Sequence, residues 1–230
     1  MSASPLKLLS SMATRKVLTE LADQYQASTQ QAVHCEAAGG VDVAKRVQAG
    51  EAVDVVVLSS EAIDKLLAEG RLVRGSRVDL AKSGVAVAVR AGAPRPDIGS
   101  EEALKQTVLA ATTISYSTGP SGVYLEKLFE RWGILAAIRD RIVVPPPGLA
   151  VASVVARGSA ELGFQQLSEL LNQPGVEVVG PLPPSLQTLT IFSGAVATAS
   201  DRQEAGRALL DYMASAGAAS VKQSHGMEAA

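Results

Sequence analysis

Three times in its first seventy residues, the chain passes from a short apolar run through small polar residues into a segment with helical spacing. "LKLLSS" (6–11) leads into "TRKVLTELADQYQAST", where Val17, Leu18, Leu21 and Tyr25 recur at helical intervals. "QAVHCEAAGG" leads into "VDVAKRVQAGE", with Val43 and Val47 four apart and Gly50 as a stop. "VDVVVLSS" leads into "SEAIDKLLAEGRL", for which Ser60 is the expected N-cap and Gly70 the residue beyond the helix end. Strand, polar loop and helix in strict alternation predict an α/β fold with mostly parallel sheets flanked by helices.

The pattern continues beyond residue 80. "SGVAVAVRAGAPRPDI" predicts a strand and a proline-rich break, and "SEEALKQTVLAA" a helix with half of a capping signal. "TTISY" predicts a strand that enters "STGPSG" and then the helix "GVYLEKLFERWGI", whose apolar stripe is Leu125, Leu128, Phe129 and Trp132. "RIVVPPPGLAVASVVARG" reads as strand, stiff bend and helix, and "AELGFQQLSELLNQPGVEVVGPLP" as strand, helix and strand. "LQTLTIFSGAVAT" predicts a returning strand, "DRQEAGRALLDYMAS" an amphipathic helix, and the tail a further helix.

Several function classes are disfavoured. Lys and Arg total 21 against 23 Asp and Glu, and the basic residues are scattered, so no nucleic-acid partner is expected. No apolar run approaches the ~18 residues of a membrane helix, so no membrane insertion is expected. The start carries no signal-peptide pattern, which points to the cytoplasm; a chain whose leader had been removed would be periplasmic. The single cysteine, Cys35, cannot close an internal disulfide and fits a small buried apolar position. No nucleotide fingerprint is present, and His34 and His225 have no metal-ligand spacing, so no cofactor and no metal are expected.

The positive indication is the recurrence of small polar loops after strands. Ser10-Ser11, Gly39-Gly40, Ser59-Ser60 and the run Ser117 to Gly122 all stand where a strand gives way to a helix. At such places backbone N–H groups and the helix dipole favour an anion, and small residues let it approach. A lone serine there is more often a simple cap, so the reading rests on recurrence. "STGPSG" is expected to do both, capping its helix through Ser117 and Thr118 and facing an anion with its N–H groups.

The segments "LKLLSSMATRKVLTELADQY", "EAAGGVDVAKRVQAGEAVDVVVLSSEAIDKLLAEG", "GPSGVYLEKLFERWGI" and "AELGFQQLSELL" resemble, in order and spacing, the type II periplasmic binding proteins of the molybdate-binding kind. The resemblance spans nearly the whole chain. It implies two lobes, 1–85 with 190–230 and 86–189, and a ligand cleft between them. It implies ligand contacts from Ser10, Ser11, Met12, Gly39, Gly40, Ser121, Gly122, Gly148, Leu149 and Gln166. Ser59, Ser117 and Tyr124 join these as candidates, and Arg15 is a candidate partner for a carboxylate. Ala13 and Gln166 depart from the serine and tyrosine of molybdate binders. "YSTGPSGVYLEK" and "VASVVARGSAELGFQQLSELL" are closer to a subgroup that includes aconitate isomerase, which implies a polycarboxylate ligand.

Two functions follow as expectations. One is capture of a small organic anion or oxyanion, with an ABC importer membrane component as partner. The other is isomerisation of aconitate, which needs a base, for which Glu36 and Glu126 are the candidates.

Overall fold

The computed structural model describes residues 4–146 and 149–230. The chain divides into two compact units, Met1–Lys82 with Thr190–Ala230, and Ser83–Leu189.

The first unit begins with β1 (Leu6–Ser11), a 3-10 turn (Met12–Thr14) and α1 (Arg15–Thr29). It continues through β2 (Val33–Ala38), α2 (Gly40–Gln48), β3 (Val55–Ser59) and α3 (Ser60–Ala68). β4 (Val78–Arg90) is long enough to start in the first unit and end in the second. The second unit then adds α4 (Glu101–Ala110), β5 (Ile114–Tyr116), α5 (Pro120–Arg131), α6 (Leu135–Ile138) and β6 (Ile142–Val143). It closes with α7 (Val151–Ala156), β7 (Leu162–Gln166), α8 (Leu167–Leu170) and β8 (Val176–Pro181). β9 (Leu189–Val196) returns to the first unit, followed by α9 (Gln203–Ala214), α10 (Ala219–Ser224) and β10 (Glu228–Ala229). The expected helical tail therefore ends in a short strand, which pairs antiparallel with β4 at Lys82 and Ala81.

In the first unit the strand order is β2-β1-β3-β9-β4. β1 is parallel to β2 and β3, while β9 runs antiparallel to β3. Strand alternation sorts the core. Leu6, Leu8, Val55 and Val57 join the cluster under α1 and α9; Leu9, Val56 and Leu58 join the one under α2 and α3. The helical period read from α1 holds: Val17, Leu18, Leu21, Ala22 and Tyr25 are all buried. Each such Val or Leu contributes roughly 1.5–3 kcal/mol of apolar burial.

In the second unit β7 and β8 are both antiparallel to β4, and β7, β5 and β6 are mutually parallel. Val85, Val87 and Val89 pack towards α4 and α5; Ala86 and Ala88 face Ala152 of α7 and Leu170 of α8. The alanines are small because those short helices lie close. Gly163 on β7 has the same cause, since a Cβ there would sit 2.5 Å from Val155 Cγ2. Both units are thus mixed α/β layers with helices on the two faces of a sheet.

Two capping expectations are corrected. Ser59, not Ser60, is the N-cap of α3, and its side chain makes no capping bond. The N-cap of α5 is Gly119, and neither Ser117 nor Thr118 caps the helix; instead Gly119 N–H donates to Ser117 Oγ at 3.4 Å. Ser100 does cap α4, accepting from Ala103 N–H at 3.1 Å. Among the described residues no helix is long and apolar enough to cross a membrane, and no group of three or more His, Cys, Asp or Glu is placed to hold a metal ion.

Candidate functional site

In the first unit, parallel pairing brings the carboxyl ends of β1, β2 and β3 to one edge. Ser11 pairs in register with Ala38, and Ser10 with both Ala37 and Val57. The loops that leave this edge start the Met12–Thr14 turn, α2 and α3. Gly39 is the N-cap of α2 and Gly40 its first residue, and no side chain caps that helix. A Cβ on Gly40 would stand 3.9 Å from Ser11 Cβ and 3.8 Å from Leu58 Cδ2, so the Gly40 backbone lies against Ser11.

The hydroxyls at this edge differ in one respect. Ser10 Oγ is buried and donates to the Glu36 carbonyl at 3.5 Å. Ser11 is 8% exposed, and its Oγ has no hydrogen-bond partner among the described residues. A buried hydroxyl without a partner carries a desolvation penalty of about 1–3 kcal/mol, which a bound acceptor relieves. Met12 is partly buried, and Thr14 Oγ1 donates to the Ser11 carbonyl at 3.1 Å, fixing the turn. Arg15 is exposed at the first position of α1.

In the second unit β5 and β7 are in parallel register, Tyr116 opposite Phe164, so their carboxyl ends also coincide. Ser117, Ser121, Gly122 and Gln166 are placed around that edge. Ser121, 2% exposed, is the second residue of α5, a helix with Pro120 first and no side-chain cap. Its initial N–H groups therefore have no internal side-chain partner to displace. Gln166 ends β7 as the buried N-cap of α8. Leu149 is partly buried and its N–H donates to the Pro146 carbonyl at 3.1 Å, just ahead of Ala150, the N-cap of α7. Gly148 lies outside the described residues. Tyr124 is committed elsewhere: its hydroxyl donates to the Leu186 carbonyl at 2.5 Å.

The two proposed bases are not alike. Glu36 is exposed, and its Oε1 accepts from Arg46 Nη1 at 2.6 Å. That bond is the main cause holding its carboxyl below the usual range, which makes it a weak base. Glu126 is exposed on α5, where, after burial, its charge contributes to raising the Tyr116 phenol.

A carboxyl not singled out in the sequence has the more suitable chemistry. Glu169 on α8 is only partly buried as a residue, but its carboxyl is desolvated and pushed up to about 7. Gln165 Nε2 donates to its Oε1 at 2.7 Å and only partly opposes that rise. Gln165 Oε1 and Ser168 Oγ are buried beside it without partners among the described residues. Its sequence signal would have been an acid in a short helix directly after an apolar strand.

Comparison with known proteins gives consistent results. A family model described as bacterial extracellular solute-binding protein matches residues 6–228. A Pseudomonas sp protein named aconitate isomerase is 40% identical over 231 residues, covering 97% of this chain and 87% of its own length. The periplasmic molybdate-binding protein of Azotobacter vinelandii superposes with a TM-score of 0.80 at 20% identity, covering 96% of this chain and 98% of that one. The tungstate ABC transporter structure from Geobacter sulfurreducens gives 0.73 at 16% identity, covering 96% and 98%. At such identities the two structural likenesses establish the fold.

Proposed function

The chain belongs to the bacterial extracellular solute-binding protein family, and from that membership we propose that it captures a small organic polycarboxylate of the aconitate or citrate kind. The observation that carries the reading is Ser11: a nine-tenths-buried hydroxyl without a partner among the described residues, beside the start of α2, which no side chain caps there. An anion's oxygen would satisfy it. Ser59 at the start of α3 and Ser121 and Gly122 at the start of α5 supply further donors of the same kind. We assign these loops, with Gln166 and the backbone around Leu149, as the candidate ligand donors of their respective units. A carboxylate is preferred to a tetrahedral oxyanion because the 40% identical relative is named for aconitate. An ABC importer membrane component is the partner this family role implies.

The test is calorimetric titration with citrate, cis-aconitate, trans-aconitate, sulfate and molybdate. Carboxylate binding is expected, and Ser121→Glu should abolish it by clash and like-charge repulsion. Binding of sulfate or molybdate with no response to any carboxylate would overturn the reading.

A second reading, isomerisation of aconitate, is favoured by identity extending over 97% of the chain. The reaction removes a methylene proton next to the double bond and returns a proton at the other end of the three-carbon unit. No redox partner or water is consumed. It needs a carboxyl near neutrality and donors for the delocalised anion. Of the three carboxyls considered, Glu169 has that tuning. Incubation with trans-aconitate, followed by NMR for cis-aconitate, decides it. Binding without conversion leaves the first reading alone standing.

A further inference from the structure

In the second unit a side chain continues what a strand leaves off. The pairing of β8 with β4 ends at Pro181, opposite Ala86. Leu182 N–H still reaches the Val85 carbonyl at 3.1 Å, and the chain then turns, with Leu186 N–H donating to the Pro183 carbonyl at 2.8 Å. The side chain of Gln187 brings it back. Its Oε1 accepts from Val85 N–H at 2.9 Å, and its Nε2 donates to the Val85 carbonyl at 3.0 Å. A primary amide offers the acceptor and donor of a peptide group, so Gln187 stands in for a strand residue beside Val85. Gly84 makes the room for it: a Cβ there would fall 2.9 Å from Gln187 Nε2. The neighbouring Leu186 is tied in another direction, its carbonyl accepting from the Tyr124 hydroxyl at 2.5 Å. Tyr124 lies one turn after Ser121 on α5. Val85, Leu182 and Leu186 share one buried cluster with Leu125 and Leu128 of that helix. Hydrogen bonds and packing thus run from β4 through Gln187 and Leu186 to the first turns of α5.

We propose that Gln187 is a positioning residue for the anion: acting through Leu186 and Tyr124, it sets the start of α5, with its donors at Ser121 and Gly122, against β4. The proposal rests on the reading of that helix start as a ligand donor, and adds the residue that holds it in place. N–H and O–H donors are directional, and their bonds weaken steeply with misalignment. A tilt of α5 about Tyr124 would misalign them for every anion alike. Gln187 therefore governs affinity and leaves the choice among anions to the donors themselves. The coupling is reciprocal: if the Gln187–Val85 bonds favour the bound ligand, the ligand favours those bonds by the same factor. Val85 N–H, far along the chain from Ser121, should then report on ligand binding.

The experiment combines calorimetric titration with citrate and trans-aconitate and NMR measurement of hydrogen exchange at the Val85 amide. It compares wild type, Gln187→Leu, Gln187→Glu, Gly84→Ala and Tyr124→Phe. Gln187→Leu should weaken both ligands about tenfold, the scale of one or two lost hydrogen bonds, and speed exchange at Val85. Citrate should slow that exchange in wild type and not in the variant. Gly84→Ala, which pushes the amide off the strand, and Tyr124→Phe should act in the same direction. Gln187→Glu separates positioning from packing. Its carboxyl can accept from Val85 N–H in either state, but can donate to the Val85 carbonyl only when protonated. Facing that carbonyl, it should titrate above the ordinary carboxylate range. Measured against wild type at the same pH, Gln187→Glu should bind citrate normally at about pH 5 and weakly at about pH 8. Equal weakness at both pH values would mark a packing effect and overturn the proposal. Wild-type affinity in both Gln187 variants would overturn it too, and in either case the polycarboxylate reading survives. If wild type binds neither ligand, both fall.

Discussion

The carbonyl oxygen of Ser117 occupies the space that a side chain on Gly122 would need: a Cβ built there falls 1.5 Å from that oxygen and 2.7 Å from the Ser117 carbonyl carbon. The obstacle is backbone, so it cannot rotate away. Gly122 thus permits the loop after β5 to fold tightly over the first turn of α5.

Gly122→Ala should therefore displace either the loop or the helix start. The expected loss is about 1–3 kcal/mol, the scale of forced overpacking, read from urea unfolding. Citrate should no longer raise the melting temperature. An alanine variant with wild-type stability and ligand response would show that the loop is free to move.

Glu169 should give the protein a pH signature. Its carboxyl is raised from an ordinary 4.5 to about 7, so the folded state prefers it protonated. Below 4.5 both states are protonated and there is no penalty. Between 4.5 and about 7 the unfolded chain ionises first, so stability falls as pH rises, and above that range the penalty is complete. Glu169→Gln removes the ionisation but keeps a partner for Gln165. The variant should melt higher than wild type at pH 8 and alike at pH 4. Equal melting curves at both pH values would refute this.

Asp54 acts in the opposite sense. It is 4% exposed and accepts from Lys7 N–H at 2.8 Å, from Ser200 Oγ at 2.6 Å and from Arg202. Burial works to raise its carboxyl, but the bonds from Lys7, Ser200 and Arg202, with the Arg202 charge, outweigh burial and leave it lowered. Its contribution is present above the ordinary carboxylate range and is lost as pH falls through the depressed value. Asp54→Ala should cost about 1–3 kcal/mol at pH 7, because it leaves the Lys7 N–H and the Ser200 hydroxyl without their acceptor, while Arg202 keeps the Ser4 and Pro5 carbonyls. Chemical denaturation at pH 7 and pH 3 should show the difference between variant and wild type shrinking at the lower pH.

Legibility in the sequence followed the range of the interaction concerned. "VDVVVLSS" announced β3 because four apolar, largely β-branched residues in a row suit a strand buried on both faces. The α1 helix was visible because its stripe is local. What needs a partner from afar was not visible. β4 begins at Val78 rather than in "SGVAVAV", because Leu80 and Ala81 are buried against residues more than a hundred positions away. β10 has two exposed residues and exists only by pairing with β4. Among the candidate residues, the serines and glycines could be placed at strand ends from spacing alone. Glu169 could not, because its tuning comes from desolvation by packing, and neither could the commitment of Tyr124 to Leu186. The caps failed by one residue at Ser59-Ser60, where either serine satisfies the pattern.

The place of β9 has a consequence for how the molecule is made. Residues 83–189 form a unit that is contiguous in the chain, whereas the first unit's sheet places β9 between β3 and β4. On the ribosome, the strands made first must wait with an unfilled slot until the last forty or so residues emerge. The second unit, complete by then, can already have folded. An arrest of synthesis close to the last residue, with the segment after residue 189 still inside the exit tunnel, should thus leave nascent chains in which the second unit resists protease and the first is digested. Full-length release should then protect both.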